Sequence, residues 1–151
     1  MKRSLIVLAI VASTMVAASV AFAQAQKSKP VARSKQVVYV SSETATYTPS
    51  PKAPGVSMSV LRGDPEKGAH ATFTKFAPGF DAGMHTHTND VSIVVIKGAY
   101  LYKDEAGEKR VGPGEYLFVP GGHKHWSGGD KSEGAIFYEQ GSGKFDTIPA
   151  K

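Results

Sequence analysis

The chain has 151 residues, 41% of them hydrophobic and 21% charged, with no cysteine and a formal net charge of +5 at pH 7. That length closes one hydrophobic core rather than two, and the missing cysteines exclude disulfides, thiolate catalysis and thiolate metal ligation. The positive surplus is modest and nowhere forms a Lys/Arg cluster with interleaved aromatics, so no nucleic-acid partner is expected.

Met1, Lys2 and Arg3 open the chain, ahead of an apolar run from Leu5 to Val20 and then Ala21-Phe22-Ala23 before Gln24. A short basic segment, an apolar core and an Ala-x-Ala site together predict a secretory signal peptide over residues 1–23. The run falls short of the about 20 apolar residues that span a bilayer. The expected product is therefore periplasmic or secreted, with no stable membrane insertion after cleavage. Cleavage removes Lys2 and Arg3 and takes the formal charge from +5 to +3. Residues 24–35 hold Lys27, Lys29, Arg33 and Lys35 beside Ser28 and Pro30, the composition of a flexible, solvated linker. An exported domain over residues 36–151 without disulfides must be held by its core, by metal or by subunit contacts.

From Gln36 onward the pattern is β. Val37 to Val40 is a candidate strand, whereas Thr48 to Gly55, with Pro49, Pro51 and Pro54, is predicted to stay outside any ladder. Ser57 to Leu61 and His70 to Phe76 flank a Gly/Pro turn at 63–68 and predict a hairpin, in which Phe73 and Phe76 face opposite ways. Ser92 to Lys97, Ala99 to Lys103, Arg110-Val111, Glu115 to Val119 and Gly134 to Glu139 bring the set to seven or eight short strands separated by Gly/Pro/Asp turns. With no amphipathic helix longer than a turn, the pattern predicts an all-β domain closed or sandwiched into a barrel. Residues 141–151 read as an irregular tail, with Phe145 and Ile148 as candidate anchors. Of Tyr100, Tyr102, Tyr116 and Tyr138, about half should face inward, because side chains alternate along a strand.

Four of the five histidines fall into two His-x-His pairs: His85 and His87, just before the apolar run 92–96, and His123 and His125, just after Pro120, Gly121 and Gly122. In a strand, residues i and i+2 share a face, so each pair can present two imidazoles together. An isolated pair is more often structural. Two such pairs, each introduced by a glycine-rich turn and tied to an apolar strand, point to a divalent metal site. The fifth, His70, has no companion and is expected on the surface or in a structural role. Trp126 should point away from its neighbour His125 and serve packing. No Ser-His-Asp arrangement, phosphate loop or paired-carboxylate motif is present.

Gly79, His85, His87 and Gly98 match the first motif of the cupin superfamily, and Gly114, Pro120, Gly122 and His125 match the second. The chain resembles small single-domain bacterial cupins of unassigned function and is similar in outline to the cupin modules of zinc-binding anti-sigma proteins. The resemblance implies a double-stranded β-helix, the jelly-roll barrel, often dimeric, with a metal at the barrel mouth. It places the metal ligands at His85, His87 and His125. The family's fourth ligand, a glutamate, falls at Val91, which departs from the pattern. Asp90 is adjacent and would reach the site only through a bulge. His123 would complete a four-histidine site if its strand began early, and otherwise serves at the rim.

Three imidazoles without a carboxylate suit zinc or ferrous iron, with manganese less well matched by the missing glutamate. Two functions follow. One is a metal-dependent oxygenase or isomerase acting on a small molecule. The other is a non-catalytic module that binds metal or a small ligand for sensing or storage. The expected partners are a small-molecule ligand and, through the family, a second copy of the chain.

Overall fold

The computed structural model describes residues 36–151, so the expected signal peptide and linker lie outside the described residues. Among the described residues the strands are β1 Thr48–Pro49, β2 Val56–Gly63, β3 His70–Phe76, β4 Asp81–Thr86, β5 Val91–Gly98, β6 Tyr100–Asp104, β7 Gly107–Val111, β8 Tyr116–Val119, β9 His125–Gly129, β10 Ala135–Gly141 and β11 Ile148–Pro149. None of the described residues is helical. Two antiparallel sheets result, one in the order β1-β2-β3-β10-β5-β8 and the other β11-β4-β9-β6-β7.

The core lies between the sheets and follows from alternation. Along β5, Val91, Ile93 and Val95 are buried while Ser92, Val94 and Ile96 face outward. Along β10, Ala135, Phe137, Glu139 and Gly141 turn inward. Phe137 is fully buried and takes edge-on contacts from Phe76 and Tyr100, with ring centroids 4.9 and 5.1 Å away. Phe80 packs on Phe76 at 4.5 Å. Burial of one such ring stabilises the fold by about 2–3 kcal/mol. Phe73, on the opposite face of β3, meets Tyr138 on the outside of the first sheet.

Three segments differ from expectation. Val37 to Val40 form no strand and run over the surface, with Val37 97% and Tyr39 90% exposed. β-branched residues favour a strand only where a neighbouring edge and a packed face exist, and among the described residues neither is supplied to this segment. Thr48 and Pro49, expected outside any ladder, pair with Met58 and Ser57 as a two-residue edge strand. An edge position tolerates proline because one side of the strand needs no donor. The tail, expected to be irregular, contributes β11, in which Ile148 and Pro149 pair with Thr86 and His85 of β4.

Candidate metal centre

β4 and β9 lie side by side, with His85 opposite His125 and Met84 opposite Trp126. Opposite residues in an antiparallel pair share a face, so the two imidazoles point into the barrel and Met84 and Trp126 point out. Trp126 is fixed there by an Nε1–H bond to Asp81 Oδ1 at 2.6 Å. His87 follows β4 by one residue and returns to the face of His85. The ring centroids of His85 and His125 are 4.3 Å apart, those of His85 and His87 4.9 Å, and those of His87 and His125 5.3 Å. One ligand nitrogen from each falls within 4.8 Å of the others, and all three residues are buried. Nitrogens around a bound zinc are about 3.3 Å apart, so a small contraction would bring them to a metal.

Each ring is oriented by a main-chain carbonyl. His85 Nδ1 donates to Gly83 O at 2.8 Å, His87 Nδ1 to Asp146 O at 2.5 Å and His125 Nδ1 to His123 O at 3.0 Å. A carbonyl only accepts, so Nδ1 holds the proton in all three, and each Nε2 keeps its lone pair for a ligand. Nε2 of His125 is buried with no hydrogen-bond partner. A buried polar atom left in this way costs free energy that a metal would recover. Burial holds His85 below the ordinary imidazole range, reinforced by the neighbouring His87. Burial likewise takes His125 down to about 4, with His85, His87 and His123 adding repulsion. Both are therefore neutral near pH 7, the form that binds metal.

The loops around the cluster are stitched together. Gly122 N–H donates to His87 O at 2.7 Å, and Gly121 N–H to Asp90 Oδ1 at 2.8 Å. A Cβ on Gly121 would stand 2.5 Å from Thr88 O, so only glycine lets the two histidine loops meet. The C-terminal tail closes over this junction. Asp146 accepts from Thr88 N–H at 2.8 Å and from Thr88 Oγ1 at 2.6 Å, which sets its own carbonyl beneath His87. Phe145 packs its ring 5.2 Å from His87 and 6.1 Å from His70. Nothing in local spacing connects residue 146 to residue 87; the one usable signal was the apolar Phe145 in a polar tail.

The structure brings His85, His87 and His125 together and leaves Asp90 and His123 outside the group. Asp90 is exposed, and its carboxylate serves the Gly121 amide. His123 turns its Nε2 to Asp104 Oδ2 at 3.1 Å and contributes its carbonyl to His125. Tyr102 stacks on His125 with centroids 5.4 Å apart, and its hydroxyl donates to Asp104 at 2.9 Å. Burial, with Asp104 beside it, pushes that phenol well up. Tyr100 also faces inward, whereas Tyr116 is exposed and Tyr138 half-buried on the outside. Val91 faces the core as an apolar side chain. His70 is buried rather than superficial, facing Glu139 across 3.8 Å, a pair the sequence pattern did not single out. Three imidazoles, each oriented by a main-chain carbonyl and converging in a buried setting, fit a divalent cation that retains open coordination positions.

No curated protein matches this chain. Among solved structures it is similar to the polyketide cyclase RemF from Streptomyces resistomycificus, at 19% identity and TM-score 0.63 over 77% of this chain and 87% of that one. A cupin-like protein of unknown function from Ralstonia eutropha shares 24% identity at TM-score 0.62, over 77% and 79% of the two chains. The complex of Rhodobacter sphaeroides SigE with the anti-sigma ChrR matches at 18% identity and TM-score 0.52, over 66% of this chain and 49% of that one. These likenesses show the cupin fold. Residues 35–143 match the ChrR cupin-like domain, and the chain belongs to that family.

Proposed function

We propose that the chain is an exported cupin that binds one divalent metal through His85, His87 and His125 and offers the metal's remaining positions to a small molecule. The observation that carries this reading is the set of three carbonyl-locked tautomers, which leaves three Nε2 lone pairs in one buried cluster. Export rests on the pattern of residues 1–23. A bound metal would supply Lewis acidity or, as ferrous iron, redox chemistry, in keeping with an oxygenase or isomerase. The protein's own part is to orient the three imidazoles, to keep His85 and His125 neutral by burial, and to exclude water with Tyr102 and Phe145.

A non-catalytic sensing or storage module is the second reading, supported by the polar groups near the cluster, which already have partners. The Tyr102 hydroxyl and His123 both bind Asp104, and Asp90 binds Gly121. The fold does not choose, since its structural neighbours include both a polyketide cyclase and an anti-sigma protein held in a complex. We also propose a homodimer, supported by the exposed apolar residues Ile96, Tyr116 and Phe118 on the outside of the first sheet.

Elemental analysis of protein taken from the periplasmic fraction, beside a His85→Ala/His125→Ala variant, tests the reading. About one metal per chain, lost in the variant, is the expected result. Iron or manganese supports the enzyme, and zinc without turnover supports the module. A metal-free wild type overturns the site, and a chain retained in the cytoplasm with residues 1–23 intact overturns export.

A further inference from the structure

The histidine cluster contains no carboxylate, yet the barrel interior does. Glu139, inward on β10 and 6% exposed, is the only buried acid among the described residues. It pairs in register with Thr72 of β3 and Ile93 of β5. Its Oε1 lies 3.8 Å from Nε2 of His70, whose side chain is 1% exposed. That nitrogen has no hydrogen-bond partner, while Nδ1 donates to the carbonyls of Gly68 and Gly143 at 3.0 and 3.1 Å. The His70 ring lies over Gly141, where any Cβ would collide with it. Position 141 is thus given up to seat the imidazole beside Glu139.

The pair connects to the cluster along two routes. On one side Phe145 touches both His70 and His87. On the other, Ser127 sits two residues beyond His125 on the same face of β9, the Tyr100 phenol lies beside Ser127, and Tyr100 in turn lies within the field of Glu139. A dication among three neutral imidazoles has no charge compensation, and a lone buried carboxylate is equally unfavourable in a low dielectric.

We propose that Glu139 is the counter-charge of the three-histidine site and that His70 bears the proton that balances Glu139 when no cation is held. The inference rests on the metal-site reading and deepens it. Cation and proton compete for one buried negative charge: as the cation enters, the Nε2–H of His70 passes its proton to water and leaves a neutral ring still donating through Nδ1. Glu139 is a positioning residue of charge rather than a ligand, since its oxygens lie outside the cluster of ligand atoms.

The groups facing His70 agree with this. Glu139 raises its proton affinity above the ordinary imidazole value, burial opposes, and the carbonyls of Gly68 and Gly143 assist. Asp64, in the turn before β3, also lies within its field, while Phe145 and Gly141 bring no charge. A proton held more tightly in the metal-free form means that metal affinity rises with pH through the titration of His70.

Cobalt(II) titrated into the metal-free full chain by calorimetry, from pH 6 to 8 in buffers of differing ionisation enthalpy, reads affinity and proton release together. Glu139→Gln should bind about tenfold more weakly at the upper pH and release fewer protons. His70→Asn, which keeps a donor for Gly68 and Gly143, should bind at least as tightly as wild type at pH 6 and lose most of the pH slope. Glu139→Asp retains the charge and should stay close to wild type, which guards against a folding defect in the amide variant. Wild-type affinity and proton release in Glu139→Gln would overturn the inference while leaving the metal site standing. No cobalt binding by wild type would instead overturn the site itself.

Discussion

His87 lies one residue past the end of β4, where no ladder fixes its ring, and it is Asp146, from the far end of the chain, that does so. The Asp146 side chain grips Thr88 through two hydrogen bonds, and these hold its carbonyl in place for His87 Nδ1. Those same bonds keep the Asp146 carboxyl below its usual range. Replacing Asp146 with alanine should therefore act on metal binding before stability. Loss of a group that orients a ligand costs about tenfold in affinity, and the lost hydrogen bonds cost about 1–2 kcal/mol of folding free energy. Cobalt titration and urea unfolding of Asp146→Ala measure the two effects. A variant destabilised by this amount but binding cobalt as wild type does would show that the tail braces the barrel without orienting His87.

The turn between β9 and β10 shows the same economy of means at the scale of an element. Asp130 Oδ1 accepts from Ser132 N–H and Oγ and from Glu133 N–H at 2.9, 2.7 and 3.2 Å, and Arg110 approaches its Oδ2 at 3.4 Å. The Ser132 and Glu133 bonds, with Arg110 nearby, take the Asp130 carboxyl down to about 2. A carboxyl lowered in the folded state stabilises above its unfolded value near 4, and that contribution is lost as pH falls towards 2. In the metal-free protein, melting temperature measured from pH 5 to 2 should fall less steeply in Asp130→Asn than in wild type. Equal slopes would mean that the turn is held by its backbone alone. Such turns were legible because glycine, proline and aspartate mark them, and the apolar runs between them placed β3, β5 and β10 as strands, whereas which face of each turns inward is set only by the closure of the sheets. Val37 to Val40 misled because β-branched composition records a preference, whereas a strand also needs an edge to pair with. β11 left no trace, since two residues ending in proline carry no periodicity.

For the molecule as a whole, the site was legible in proportion to how local its parts are. His85 and His87 share a face by spacing alone, and His125 joins them because β4 and β9 pair in register. Val91 showed from position alone that the family's carboxylate is missing. Glu139, His70 and Asp146 were out of reach, because only the closure of the two sheets brings distant segments together. That closure leaves one broad surface unsatisfied. Register aligns Phe73, Tyr138, Val94 and Tyr116 in a row across the outside of β3, β10, β5 and β8, with Phe118 in the next row. Tyr116 is 62% and Phe118 49% exposed. The proposed homodimer would use this apolar face, since a second copy presents the identical face for an isologous contact. Sedimentation of wild type should therefore show a dimer that dissociates on dilution. Phe118→Lys should give a monomer, because a lysine ammonium would have to be buried in the apolar contact. Since Phe118 points away from the barrel interior, the monomer should bind cobalt as tightly as the dimer. A wild type that stays monomeric at every concentration would overturn the interface, and a weakened cobalt affinity in the Phe118→Lys monomer would show that the second copy supports the histidine site.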